Sequence, residues 1–337
     1  MKQTASLLSM LSPDEKKLVH KKAMPTFIKP MLAQLTNDRF SDKNWIFERK
    51  LDGERCLIFK KGKNIILKSR NDKLLNESYP EIVDAAKKLS IADCIIDGEI
   101  VAFKNKETSF SLLQKRFGVD YAAKKSPSKT LIYYYAFDVM YYDGYLVTHL
   151  PLLTRKVILK TVIPHKDSII RYVDHKDEKG ELYFKQACND TWEGLIAKQK
   201  ESLYVSKRFS NWLKFKCSNE QEFVIGGYTE PGGSRVNFGA LLLGYYKNGK
   251  LHYAGKVGTG FNETTLKQLG QKLKKHEIKT NPFTHYDETI KNIHWVKPIL
   301  VCEVKFSEWT KTNKLRHPSY LGVRLDKSAK EVVQEKV

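Results

Sequence analysis

The sequence predicts an α+β protein of two domains, a mixed α and β region followed by a small β-barrel. Three observations carry this. The chain has 337 residues, more than a single core comfortably holds when domains run to roughly 100–200 residues. Up to Cys217, short apolar strands alternate with helical patterns. Beyond Cys217-Ser218-Asn219-Glu220 the pattern becomes short strands with glycines and one helix.

A short basic extension covers residues 1–26. Within it, "SPDEKKLVHKKA" offers a helix start, with Ser12 as N-cap, Pro13 as first helical residue and Glu15 as the capping-box acid. The segment could touch a polyanion or form a solvated helix. The first domain spans 27–217. "NWIFERK" and "ERCLIFKK" read as strands flanking a tight Asp52-Gly53 turn, and "KKGKN" turns into "IILKSR". "YPEIVDAAKKL" places Ile82, Val83, Ala86 and Leu89 on one helical face. "CIIDGEIVAF" and "TLIYYYAFDVMYYDG" read as strands, "PLLTRKVILKTVI" and "EKGELYFKQA" as helices, and "EGLIAK" and "NWLKFK" as short strands. "KKSPSK" at 124–129 reads as a basic turn. The second domain, 221–330, contains "EFVIGGYT", "GALLLGYY", "KLHYAGKVG", a helical "NETTLKQLGQKLKK" and the strand stretch "HWVKPILVCEVKF". That content suits a barrel of the oligonucleotide-binding (OB) kind.

Composition narrows the function. Lys and Arg number 59 against 38 Asp and Glu, a net charge of +21. Such a surplus attracts polyanions, either nucleic acid or an anionic membrane surface. No stretch approaches the roughly 20 apolar residues of a membrane span, and the N-terminus lacks a signal-peptide pattern, which favours nucleic acid. The five cysteines are scattered and odd in number, with no Cys-x-x-Cys. A zinc site and a disulfide framework are both disfavoured, and a reducing cytoplasm fits.

The chemistry starts at "ERKLDGERC". Lys50 stands among Glu48, Arg49, Asp52, Glu54 and Arg55. A free lysine is almost wholly protonated near neutral pH, and it must lose that proton to act as a nucleophile. Acids around it make sense if a metal ion neutralises them. Alone, the stretch reads as a charged hairpin. Other stretches add to it. "DGEI" sets Glu99 mid-strand among apolar residues, where a carboxylate is costly unless paired or metal-bound; the alternative is an edge strand with Glu99 facing water. "WEGLIAK" puts Glu193 before an apolar run that ends at Lys198. "WLKFK" alternates Lys214 and Lys216, so both share one strand face, an arrangement that a phosphate between them would relieve. "GVRLDK" closes the series with Arg324, Asp326 and Lys327.

In this order, from "KPMLA" at 29–33 to "RLDK" at 324–327, with Ser69-Arg70 and "FDV" between, these stretches resemble the nucleotidyltransferase superfamily of ATP-dependent DNA ligases and mRNA capping enzymes. "HPSYLGVRLDK" and "YTEPGGSRVNFGALLLGYY" look most similar to the ligase domain of bacterial ligase D, which serves non-homologous end joining. The resemblance implies a nucleotidyltransferase (ATP-grasp-like) adenylation domain followed by an OB-fold β-barrel.

The resemblance also implies roles. Lys50 would be the nucleophile that takes AMP from ATP. Glu48 would help recognise adenine, and Phe137 would stack on it. Arg55 and Arg70 would hold the nucleotide phosphate and later the 5′-phosphate of a nick. Glu99 would contact the ribose or a metal, and Glu193 would bind the catalytic Mg²⁺ or Mn²⁺. Lys214 and Lys216 would clamp the α-phosphate. Arg324, Asp326 and Lys327 would act on the pyrophosphate when the second domain closes. The implied substrate is double-stranded DNA with nicks or breaks. The implied setting is a monomer of the bacterial cytoplasm, associated with the nucleoid, with Ku or other end-joining proteins as partners and no membrane. No polymerase or phosphoesterase domain is expected within this length. The rivals are a capping guanylyltransferase, an RNA ligase and a non-catalytic DNA-binding module.

Overall fold

A computed structural model describes residues 6–104, 107–114, 116, 130–163, 168–232, 236–290 and 292–335. The basic turn at 124–129 lies outside the described residues. The chain divides after Cys217 into two compact units.

The first unit is built on two sheets. Its strands are β1 (Leu32–Leu35), β2 (Asp42–Arg49), β3 (Glu54–Lys61), β4 (Asn64–Ser69), β5 (Cys94–Lys104), β6 (Ile132–Tyr142), β7 (His175–Glu178), β8 (Gly194–Gln199) and β9 (Arg208–Lys216). Its main helices are α1 (Pro80–Lys88), α2 (Leu152–Val162) and α3 (Gly180–Asn189). The smaller sheet has the order β7–β2–β8–β9–β1, and the larger has β6–β5–β3–β4 at its centre, extended by short strands.

Strand alternation decides what each face carries. In the smaller sheet, Phe47, Leu195, Ala197 and Phe215 form an apolar core with Ala187, Tyr183 and Phe184 of α3. The intervening positions, Glu48, Lys198, Trp212, Lys214 and Lys216, therefore share the other face, as the register Gly194↔Lys216, Ile196↔Lys214 and Ile196↔Glu48 requires. In the larger sheet, Cys56, Ile58, Leu67, Ile96 and Ile100 enter the main core with Tyr79, Ile82 and Ile158. Leu57, Phe59 and Ile95 turn the other way and meet Met31, Tyr204 and Trp212 in a further cluster. Trp212 belongs to the smaller sheet, so this cluster is where the two sheets face each other.

Three sequence expectations change. Asp52-Gly53 is not a hairpin turn: β2 and β3 belong to different sheets, and residues 50–53 carry the chain from one to the other. Gly53 is needed for close approach, because a Cβ there would lie 2.1 Å from the Ile100 carbonyl oxygen. The N-terminal helix is solvated as expected, burying none of its residues, but the extension around it is not. Ser12 forms the capping box with Glu15 at the start of the helix Pro13–Leu18, but Leu7, Leu11 and Val19 are buried in the main core. Cysteines do pair: Cys188, in the last turn of α3, is disulfide-bonded to Cys217, just after β9. Their 29-residue separation hides a proximity that the folding of α3 against β8 and β9 creates.

The second unit is organised by one long strand, β10 (Asn219–Thr229), with β11 (Leu241–Lys247), β12 (Lys250–Val257), α4 (Glu263–Lys274), β13 (Ile293–Val296), β14 (Val301–Phe306) and β15 (Ser319–Val323). β10 pairs with β11 along one edge. On its other edge, Gly227–Thr229 pair with β13 and Asn219–Val224 pair with β14. "HWVKPILVCEVKF" is thus two strands, interrupted at Pro298, which has no N–H to give a ladder. α4 is capped by the Asn262 side chain, which accepts from Thr265 N–H, and it buries Leu266, Leu269 and Leu273 in the core of this unit. No helix among the described residues is long and apolar enough to cross a membrane.

Candidate active site

Lys50 lies one residue past β2, at the start of the crossing between the sheets. Its backbone N–H donates to the Gly194 carbonyl oxygen at 2.9 Å, and its Nζ makes an ion pair with the Glu193 carboxylate. Gly194 has φ +148°, and a Cβ would sit 1.8 Å from the Phe215 carbonyl oxygen. Only glycine fits there, and it sets Glu193 beside Lys50.

The crowding around Lys50 is dispersed in space. Glu54 turns into the main core, where its carboxylate accepts from Tyr79 OH at 2.5 Å. The Asp52 carboxylate accepts from Phe110 N–H at 3.2 Å. The Arg49 guanidinium lies 4.5 Å from the Trp192 ring centroid. Lys50 pairs with Glu193, an acid remote in sequence.

The larger sheet supplies a second group. Arg55 donates through Nε and Nη2 to the Asp97 carboxylate, both at 2.6 Å, and through Nη2 to the Met31 carbonyl at 3.2 Å. Burial would lower this guanidinium's affinity for its proton, but Asp97 outweighs it and the pKa is raised. Tyr204 OH donates to Asp97 at 2.6 Å and accepts from Met31 N–H at 3.0 Å. Glu99 is half-buried, directly opposite Arg55 in the β3–β5 register. Since β5 lies between β3 and β6, the edge-strand reading of Glu99 fails. Phe137 sits where the β5–β6 register shifts, between Asp97↔Asp138 and Gly98↔Ala136; a bulge of this kind re-aims a side chain. Its ring lies 4.6 Å from the Arg55 guanidinium and 4.5 Å from Lys198 Nζ. Arg70 follows the end of β4 and is half-buried.

Glu48 is 1% exposed and is paired twice, with Lys156 Nζ at 2.5 Å and Lys198 Nζ at 2.6 Å. Burial alone would push its carboxyl up, yet the two lysines hold it below the ordinary carboxylate range. Burial lowers the Lys156 pKa despite Glu48.

Lys214 and Lys216 share the face that carries Glu48 and Lys198, as the alternation predicts. Among the described residues no three His, Cys, Asp or Glu side chains converge into a metal cage. Mg²⁺ does not require one, since one or two carboxylates plus substrate phosphate oxygens commonly hold it. Glu193, beside Lys50, is a carboxylate of that kind, and Glu99 is a half-buried one opposite Arg55.

The C-terminal residues lie in the second unit and are tied to each other. Arg324 makes a bidentate pair with Asp326, both contacts at 2.9 Å, and reaches Glu303 at 2.9 Å. Lys327 pairs with Glu222 at 2.8 Å. Burial would raise the Asp326 carboxyl, but Arg324 holds it below its ordinary value.

Sequence reasoning missed Asp97, Tyr204 and Lys156, and it gave Lys198 no role. Asp97 stood inside the quoted "DGEI" and Lys198 inside "EGLIAK". Tyr204 and Lys156 carried no local signal, because their partners are distant in sequence.

Comparison with known proteins identifies the family of both units. Residues 30–216 match the model of the ATP dependent DNA ligase domain, and 234–327 match that of the ATP dependent DNA ligase C terminal region. The multifunctional non-homologous end joining protein LigD of Pseudomonas aeruginosa is 32% identical over 323 residues, covering 94% of this chain and 38% of that protein. The corresponding DNA repair protein LigD of Mycobacterium tuberculosis is 34% identical over 312 residues, covering 91% and 40%. The chain thus spans about two-fifths of these relatives. A solved structure of mycobacterial DNA ligase D complexed with ATP and MES superposes with a TM-score of 0.66 at 32% identity, covering 91% of this chain and 98% of that one. The two units are accordingly a nucleotidyltransferase adenylation domain and a C-terminal OB-fold domain. With both family models matched in order, the chain belongs to the ATP-dependent DNA ligases.

Proposed function

We propose that this ligase seals 5′-phosphate/3′-hydroxyl nicks or ends in double-stranded DNA through a Lys50–AMP intermediate. The observation that carries the reading is the position of Lys50 at the crossing of the two sheets, against Glu193 and beside a face lined by Lys214 and Lys216. Lys50 Nζ, as the free amine, attacks the α-phosphorus of ATP. A P–N bond forms, the bridging P–O bond breaks and pyrophosphate leaves. Lys214 and Lys216 meet the charge that builds on the α-phosphate oxygens, and fixed cations do this without reorganising. Glu193, with Glu99 as a further ligand or as a ribose contact, would hold Mg²⁺ or Mn²⁺, which would supply additional charge neutralisation. Arg55 and Arg70 orient the phosphate, Glu48 and Phe137 receive the adenine, and Arg324, Asp326 and Lys327 serve the pyrophosphate. AMP then passes to the DNA 5′-phosphate, and the 3′-hydroxyl displaces it.

The likeness to LigD supports a role in end joining, with Ku or similar end-binding proteins as partners and the nucleoid as the site of action. We read the chain as a monomer. The test is label transfer from α-labelled ATP and sealing of nicked DNA by wild type and Lys50→Ala. The variant is expected to form no adenylate and seal nothing from ATP, while retaining sealing of pre-adenylylated DNA. Covalent label from GTP alone would instead indicate a capping enzyme, preference for nicked RNA an RNA ligase, and no adenylate from wild type a binding module. Wild-type sealing by Lys50→Ala would refute the assignment.

A further inference from the structure

α2 buries two consecutive cations, Arg155 and Lys156. Unpaired, each would be costly. Arg155 is accounted for by Asp138, with contacts at 2.8 and 3.0 Å. Lys156 is spent on Glu48. Its Nζ donates to Glu48 at 2.5 Å and to the Val173 carbonyl at 3.0 Å, and lies 4.3 Å from the Tyr172 ring centroid.

The two lysines at Glu48 are placed differently. Lys198 is on β8, on the face shared with Lys214 and Lys216, and its Nζ lies over the rings of Phe137 and Trp212 at 4.5 and 4.1 Å. Lys156 comes from a helix outside both sheets and is held by a backbone carbonyl as well as by Glu48. A nucleobase stacked on Phe137, as proposed above, would meet Lys198. Lys156 has no reason to move. An ionised carboxylate offers about four lone-pair sites, so Glu48 can accept from a ligand amino group while Lys156 keeps its hold.

We propose that Lys156 is a positioning residue for nucleotide selection: it holds Glu48 as a fixed, ionised acceptor for the 6-amino group of adenine. The inference rests on the reading of Glu48 as the adenine-recognising group. Adenine presents a donor at position 6. Guanine presents an oxygen that a carboxylate repels, and unsubstituted purine presents nothing.

The experiment is label transfer from three α-labelled nucleotides, ATP, GTP and purine riboside triphosphate, by wild type, Lys156→Met, Lys156→Arg and Glu48→Gln. Wild type is expected to favour ATP over purine riboside triphosphate by about ten- to a hundredfold in kcat/KM, the range of a charge-assisted hydrogen bond. Lys156→Met should bring that ratio within about threefold of unity, through KM for ATP, with the maximal rate little changed. Lys156→Arg should restore most of the preference, and adding Lys156→Met to Glu48→Gln should change it no further. If Lys156→Met loses cooperative unfolding, Lys156→Leu, which likewise offers Glu48 no donor, is read the same way. An unchanged ratio in the folded variant, or an equal loss with both nucleotides, means Lys156 is merely structural and overturns the proposal. A wild type that adenylylates without preferring ATP also overturns it but leaves the ligase reading standing. A wild type that forms no adenylate overturns both.

Discussion

Lys50 and Glu193 meet as an ion pair across 143 residues of sequence, because β2 and β8 are neighbours and the Lys50 N–H is tied to the Gly194 carbonyl. Glu193→Ala should therefore lower adenylate formation by about a hundredfold or more, the scale seen when a charge-stabilising group is removed from an active site. Single-turnover label transfer across a Mg²⁺ titration checks this. Activity within a few-fold of wild type at all Mg²⁺ concentrations would remove Glu193 from the site.

Gly194→Ala should damage structure and activity together. The added methyl would meet the Phe215 carbonyl oxygen at 1.8 Å, at φ +148°. Backbone cannot yield cheaply, and strain of this kind costs on the order of 1–3 kcal/mol or more. A lower melting temperature with lost adenylylation is expected, and a wild-type melting curve would contradict the geometry.

The Cys188–Cys217 disulfide closes a loop of 29 residues. Loop-closure entropy assigns such a link roughly 3–4 kcal/mol. Cys188→Ser should lower the melting temperature of the oxidised protein and make it insensitive to reductant. The remaining described cysteines, Cys56, Cys94 and Cys302, are buried, so thiol counting on the folded, non-reduced protein should find them unreactive.

Acid should weaken both units. Glu48 and Asp326 have carboxyls below their ordinary values of 4.5 and 3.8. For groups shifted downward on folding, the stabilisation is present above the unfolded value and is lost as pH falls through the folded one. Stability measured by denaturant titration should hold near neutrality and fall below about pH 4. Arg324→Ala would leave Asp326 and Glu303 partly unpaired, with an expected loss of about 3–5 kcal/mol. Its stability should then become less sensitive to acid than that of wild type.

If the chain binds duplex DNA as proposed, its +21 net charge should make that grip salt-sensitive. Affinity for a nicked duplex should drop by about a thousandfold between 50 and 200 mM salt if six or more phosphates are contacted. A nearly flat salt dependence would mean that the positive charge lies away from the duplex.

Much of this was legible from local pattern. Strand alternation put Lys214 and Lys216 on one face, and the capping box at Ser12 was readable residue by residue. Local chemistry also misled. Asp52-Gly53 has the composition of a hairpin turn, and nothing within a few residues reveals that β2 and β3 enter different sheets. The cysteines were scattered, so their pairing depended on where α3 and β9 end.

The sequence by itself determined the residue types, their periodicity and the order of the stretches that mark the family, because propensity and strand period act over a few residues. Tertiary structure alone decided which partner each charged side chain takes. Glu54 goes to Tyr79, Arg55 to Asp97, Glu48 to Lys156 and Lys198, and Lys50 to Glu193. Those choices follow from strand register and sheet packing, which bring together side chains from a few tens to well over a hundred residues apart.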